Sequence, residues 1–221
     1  MTAVEINVRG SASVRLAPER ATVHATLSAQ GRAPDPVFEK VATAVAEVST
    51  SIDALHHAKR GPVTRYAIDG VRTGSHRPWN AEGKQLPLVH TATVSITAVF
   101  TDSDALATWV AWGAGVDSLS IGYIDWALTD ARQLAVERKT RQRAVRDAKV
   151  RAQDYADALD LGAVRVRSIS DPGLGERPQQ KVFLARAMAP SADEPSRFEL
   201  RPEEITIASE VEATFVIEGR R

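Results

Sequence analysis

Residues 21–29, Ala-Thr-Val-His-Ala-Thr-Leu-Ser-Ala, alternate small or apolar side chains with polar ones. Ala21, Val23, Ala25, Leu27 and Ala29 share one side, and Thr22, His24, Thr26 and Ser28 share the other. A two-residue period is that of a pleated strand, so the stretch reads as half-buried, with one wet or partner-facing side. The next apolar series keeps a different period. Val37, Val41, Val45, Val48, Ile52 and Leu55 recur at three- and four-residue steps, which places them on one helix face. Asp35 is expected to cap that helix and Pro36 suits its first turn; Lys59 and Arg60 complement its carboxyl-terminal dipole, and Gly61-Pro62 ends it. A helix apolar along a single stripe needs a flat partner, and a sheet face is the natural one.

Working outward, Val4, Ile6 and Val8 form an earlier alternating strand that Gly10-Ser11 is expected to break. Further strands are expected over 64–72 and 91–101, joined by a hairpin connection over 74–87. Thr101 with Asp104 resembles a capping box for a short helix through Leu106, Trp109 and Val110, closed by Gly113 and Gly115. A strand over 119–128 leads into a long helix over 130–161 that stops at Gly162. Strands over 164–169 and 205–217 complete the chain, and Ile205, Ile207, Val211, Ala213, Phe215 and Ile217 share one face of the last. Between these two strands, residues 171–204 hold seven Pro and Gly positions with one apolar interlude over 182–184, and read as a long, partly mobile excursion. The order β-β-α-β-β-α-β-α-β-β with short turns implies α+β: a largely antiparallel sheet with helices packed on one face. Residues 1–221 are read as one domain, with two lobes as the alternative.

Composition narrows the function. Acidic and basic residues balance at 28 each, so no global field draws the chain to nucleic acid or membrane. With no cysteine there is no thiol nucleophile and no thiolate metal site, which fits a reducing compartment. The first ten residues alternate where a signal peptide would run continuously apolar, and no segment offers the ~20 apolar residues of a membrane span. The expectation is a cytoplasmic protein of a bacterium with a GC-rich genome.

Several blocks carry a family resemblance. Ile6-Asn7-Val8-Arg9-Gly10 and Pro18-Glu19-Arg20-Ala21 open the chain. Arg72-Thr73 and Pro78-Trp79 follow, then an Ala-rich helix with Arg143-Ala144-Val145-Arg146-Asp147-Ala148 and Tyr155-Ala156-Asp157-Ala158-Leu159, and the closing strand. In this order they resemble the SIMPL-domain family over nearly the whole chain. The resemblance implies an α+β fold, homo-oligomerisation and no established enzymatic activity; it supplies no catalytic residues. Many bacterial members are exported and linked to envelope or oxidative-stress phenotypes, and the chain is expected to differ from them in lacking a leader. Trp79 stands where relatives often show tyrosine.

Candidate chemistry is sparse. His24, His56, His57, His76 and His90 are scattered, whereas a zinc site needs three or four converging ligands, so no metal or cofactor is expected. No Gly-x-Ser-x-Gly elbow or Ser-x-x-Lys motif appears. Gly113-Ala114-Gly115 lacks a Walker lysine and follows a helix, so it reads as helix termination. Trp109 reads as core, while Trp79, in a Pro-flanked loop, is the candidate subunit or partner contact.

The long helix is the richest feature. Eight basic residues stand between Arg132 and Arg151 against Glu137 and Asp147. At 100° per residue, Arg132, Lys139, Arg143 and Arg146 fall on one strip, opposite an expected apolar stripe of Leu134, Val145, Ala148, Ala152, Tyr155 and Leu159. Such a strip could contact phosphates. Arg138 and Arg141 are expected to lie toward the apolar side and to snorkel or pair with a carboxylate. The leading expectation is a non-enzymatic, self-associating scaffold or binding protein. Polyanion or nucleic-acid binding through helix 132–151 stands second, and an enzyme with a composite site between subunits third.

Overall fold

A computed structural model describes residues 4–81, 84–172 and 202–217. The elements are β1 (Val4–Leu16), β2 (Arg20–Gly31), α1 (Pro34–Asp53), β3 (Val63–Ile68), β4 (Arg72–His76), β5 (Val89–Phe100), α2 (Ser103–Gly113), β6 (Leu119–Ala127), α3 (Asp130–Ala158), β7 (Arg165–Ser170) and β8 (Ile205–Ile217). The class is α+β, the strands pair antiparallel, and strands and helices follow the expected order. The one refinement is β4, a short strand that splits off after Ile68 and pairs with β5. Most of the excursion expected over 171–204 lies outside the described residues. No described helix is long and apolar enough to cross a membrane.

The chain divides into two compact units. One holds β1, β7, β8 and α3. Its sheet runs β1-β8-β7, and β1 pairs with β8 over its full length, from Val4 opposite Ile217 to Leu16 opposite Ile205. The expected break at Gly10-Ser11 does not occur. Gly10 is instead the point where α3 presses on the strand: a Cβ there would collide with the carbonyl oxygen of Ala144 and lie 2.6 Å from the amide nitrogen of Ala148. The helix meets the sheet with a line of small residues four apart, Ala144, Ala148, Ala152 and Ala156, all fully buried, continued by Thr140 and Val136. Rows of side chains four apart form the helix ridge that packs into a groove, and alanines let that ridge come close. The expected stripe is thereby corrected. Leu134, Val145, Tyr155 and Leu159 are exposed, and only Ala148 and Ala152 belong to the packed face. Their bulk argued for burial in the sequence, but a surface pressed against Gly10 has no room for it. Asp147 fixes the same contact from the side, accepting the Ser11 amide at 2.9 Å and the Arg151 guanidinium at 2.8 Å.

The other unit holds β2 to β6 with α1 and α2. Its sheet runs β3-β5-β2-β6. Val23, Leu27, Val94, Ile96 and Phe100 form the inner face beneath Val41, Val48 and Ile52 of α1 and Leu106 and Trp109 of α2. The Trp109 indole N–H donates to Ser51 Oγ at 3.1 Å, which satisfies the polar atom of a nearly buried ring. Three end signals differ from expectation. The residue preceding α1 is Ala33, with no side-chain cap, and Asp35 sits inside the first turn. The helix stops at Asp53, so Lys59 and Arg60 lie beyond its last turn; their amides donate instead to His57 Nδ1. Asp102, rather than Thr101, caps α2, accepting the amides of Asp104 and Ala105 at 2.9 Å. A β-region residue directly before the first helical turn is the one whose carboxylate can reach those amides.

Tyr66 of β3 ties the sheet to the end of α1, its hydroxyl donating to Asp53 Oδ1 at 2.5 Å. This hydrogen bond is the main cause that raises the phenol's pKa above its ordinary value, with desolvation and the Asp53 charge acting alike. A pKa raised by folding contributes stability that is complete below the ordinary tyrosine range and disappears as pH climbs past the folded value. An alkaline absorbance titration should therefore show a late-ionising phenol that belongs to Tyr66, and Asp53→Ala should bring that phase back toward the ordinary tyrosine range. For the α3 contact, Gly10→Val is expected to destabilise the fold by about 1–3 kcal/mol, read from chemical denaturation. A neutral effect would show that the helix does not approach the strand as described.

Candidate functional site

Each sheet carries helices on one face, so the functional surfaces are sought on the other. In the five-stranded sheet the outer face is formed by Thr22, His24 and Thr26 of β2, Thr93, Ser95 and Thr97 of β5, and Ser120, Tyr123 and Asp125 of β6. The β2 and β5 positions on this face are half-buried by their neighbours. Among these nine positions only Asp125 carries a fixed charge, while Arg65 of β3, opposite Val99, and Arg72 of β4, opposite Thr93, add two exposed cations at the far side of the same face. The Asp125 carboxylate meets His24 Nε2 at 3.0 Å, and the imidazole stacks on the Tyr123 ring at 4.3 Å with 12° between the planes. Tyr123 itself is 59% exposed.

This cluster depends on one extra residue. The β2–β6 register pairs His24 with Tyr123 and Ala25 with Ile121, so Gly122 has no partner and forms a bulge. Ile121 and Ile124, three apart, both pack against the core, while Tyr123 and Asp125 turn to the outer face. Strict alternation would have put Ile121 and Tyr123 on one side. The chain pattern identified His24 as outward-facing but carried no sign of its two partners.

The outer face of the β1-β8-β7 sheet is more polar. Thr214 donates to Asn7 Oδ1 at 2.6 Å, and Arg9 meets Glu212 at 2.8 Å with Glu210 at 3.9 Å. The hydrogen bond to Glu212 and the two carboxylate charges hold the Arg9 guanidinium pKa above its ordinary value. Arg167 pairs with Glu5 across the intervening strand. An open depression of about 400 Å³ lies here, lined by Asn7, Arg9, Ser168, Ser170, Glu212 and Thr214 among others. Its charged groups already neutralise one another.

The candidate residues from the sequence are all accessible. Trp79 is 86% exposed on the β4–β5 connection, where Arg77 braces the loop by donating to the Leu86 carbonyl at 3.0 Å. Arg132, Lys139, Arg143 and Arg146 are exposed along α3. Lys139 and Arg143 each precede a buried residue, Thr140 and Ala144, so they flank the packed line, while Arg146 points away from it. Arg138 and Arg141 are exposed as well. Arg138, two positions from buried Thr140, faces away from the sheet, contrary to the snorkelling expected of it. Among the described residues no group of three or more His, Asp or Glu side chains could hold a metal ion.

Deleting Gly122 should force either Ile121 or Tyr123 onto the wrong face. It is expected to lower the thermal midpoint well below that of Tyr123→Ala, in which the register is kept. Similar midpoints would mean that the bulge does not set this face.

No curated protein matches the chain. Residues 6–215 match the family described as SIMPL, a protein of unknown function (DUF541). That span takes in both units, from β1 to β8, and the chain therefore belongs to the SIMPL (DUF541) family.

Proposed function

We propose that this protein works without catalysis, as a self-associating scaffold or binding protein. The observation that carries the reading is the outer face of the five-stranded sheet. Six Thr and Ser positions, Thr22, Thr26, Thr93, Ser95, Thr97 and Ser120, surround a His–Tyr stack, and its one carboxylate is engaged by His24. Central parts of protein interfaces are depleted in charge, because burying an unpaired charge costs far more than burying a hydroxyl that can find a partner. A second copy can cover the hydroxyl-lined centre of this face without stranding an ion, with Arg65 and Arg72 left at its β3 and β4 margin. The cysteine-free composition supports a cytoplasmic setting for this role.

The test is the oligomeric state. Light scattering should give a mass above the monomer at micromolar concentration, and Thr26→Lys together with Thr97→Glu should reduce it with little change in thermal midpoint. A parent chain that is strictly monomeric would end the proposal.

A second reading, polyanion binding, is favoured by α3. Arg151 is engaged by Asp147, but Lys139, Arg143 and Arg146 have no carboxylate partner among the described residues. If α3 contacts phosphates, Lys139→Glu with Arg143→Glu should weaken binding of a single-stranded oligonucleotide and lower the salt slope by about 1.4, the share of two phosphate contacts. Unchanged binding would dispose of this reading.

A further inference from the structure

The edge strand β7, Arg-Val-Arg-Ser-Ile-Ser over Arg165–Ser170, pairs only with β8 among the described residues. Among the described residues its other edge presents a row of backbone N–H and C=O groups. The ladder to β8 slips by one residue: Val166 lies opposite Phe215, Ser168 opposite Thr214 and Ile169 opposite Ala213, which leaves Arg167 as the extra residue. In an unbroken strand, residues three apart point to opposite faces. Here the bulge brings Val166 and Ile169 to the same face, the one that Phe215 and Ala213 share with the core under α3. Phe215 and Ala213 are buried there, but Val166 is 63% and Ile169 50% exposed. The core of this unit thus ends in two exposed aliphatic side chains at a strand edge that is open among the described residues.

Edges of natural sheets are commonly guarded by charged side chains on the covered face. This edge has aliphatics there instead, and the charge of Arg167 is met by Glu5. The sequence is also self-complementary. Two copies of β7, run antiparallel about a two-fold axis between Arg167 and Ser168, bring Val166 opposite Ile169 of the second copy, and the reverse. The same register sets Arg165 and Arg167 opposite Ser170 and Ser168, so that arginine never faces arginine. An axis perpendicular to the sheet keeps both covered faces on one side, and the four aliphatic side chains close into one patch between the two cores.

We infer that β7 is a homotypic docking edge, joining two copies of this chain into a continuous six-stranded sheet through an antiparallel β7–β7 pair in this register. The inference rests on the reading that the chain self-associates, and names the contact through which it does so in this unit. An unrelated extended segment could add to the same edge, but the matched order of aliphatic, arginine and serine positions favours a second copy.

The absence of natural cysteine makes the test clean. Val166→Cys chains mixed with Ile169→Cys chains should form a disulfide-linked dimer under mild oxidation. Either variant alone should not, because like positions would lie about 10 Å apart along the pair, beyond the reach of a disulfide. In the cysteine-free chain, Ile169→Lys should lower the mass seen by light scattering while the circular dichroism spectrum is kept. No mixed disulfide from folded variants of a parent that scatters as an oligomer, or equal cross-linking of each variant alone, overturns the β7 pairing and leaves self-association standing. A monomeric parent overturns both.

Discussion

The two-residue repeat of the β-strand constrains both units of this chain. Every strand that turns apolar side chains toward a helix must turn the alternate set away from it. Val23 and Leu27 under α1 therefore commit Thr22, His24 and Thr26 to the outer face. Val211, Ala213, Phe215 and Ile217 under α3 likewise commit Glu212 and Thr214 to the opposite side. With a helix layer on one face only, each sheet retains a broad second face, and the character of that face is the main clue to what the protein does. In one unit it is hydroxyl-rich at its centre, with Arg65 and Arg72 at the β3 and β4 margin; in the other it is a row of mutually neutralised polar groups.

The helix layers are held by contrasting means. In the five-stranded unit, large side chains interlock: Phe100, Trp109 and Leu106 beside Val41, Val48 and Ile52. In the three-stranded unit the contact is made by what is missing. Gly10 has no side chain and the facing line of α3 is alanine, so backbone approaches backbone, and Asp147 adds a hydrogen bond to the strand beside it. Such a contact buries little per residue but tolerates no added atom, since the close-packed neighbours are main chain and cannot move aside. It also frees the larger residues of α3 for the surface, where Leu134, Tyr155 and Leu159 are found.

Departures from the two-residue repeat create the specific features. A single extra residue in β6, Gly122, brings Tyr123 and Asp125 round to His24. Another in β7, Arg167, turns Ile169 to the side of Val166 and leaves both aliphatics at an open edge. Bulges are costly in lost ladder bonds and recur where a side chain must be re-aimed. Both lie on strands with one free edge among the described residues, where the cost of an irregular register is least.

Local pattern was enough to establish the class, the order of elements and the exposed placement of Trp79 and of the basic positions Arg132, Lys139, Arg143 and Arg146. Those properties follow from side-chain period and polarity, which neighbouring residues share along the chain. The outward direction of His24 was legible for the same reason. The packed line of α3 was not, because alanine is compatible with both surface and core, and only the proximity of Gly10 selects Ala144, Ala148, Ala152 and Ala156 over Leu134, Val145, Tyr155 and Leu159. The cap of α2 and the end of α1 turned on backbone angles at single residues, which several neighbouring side chains could have served. The His24–Tyr123–Asp125 cluster and the Val166–Ile169 pair were decided by register between strands distant in sequence. A bulge is defined by what lies opposite it, and that partner is supplied only when the chain has folded.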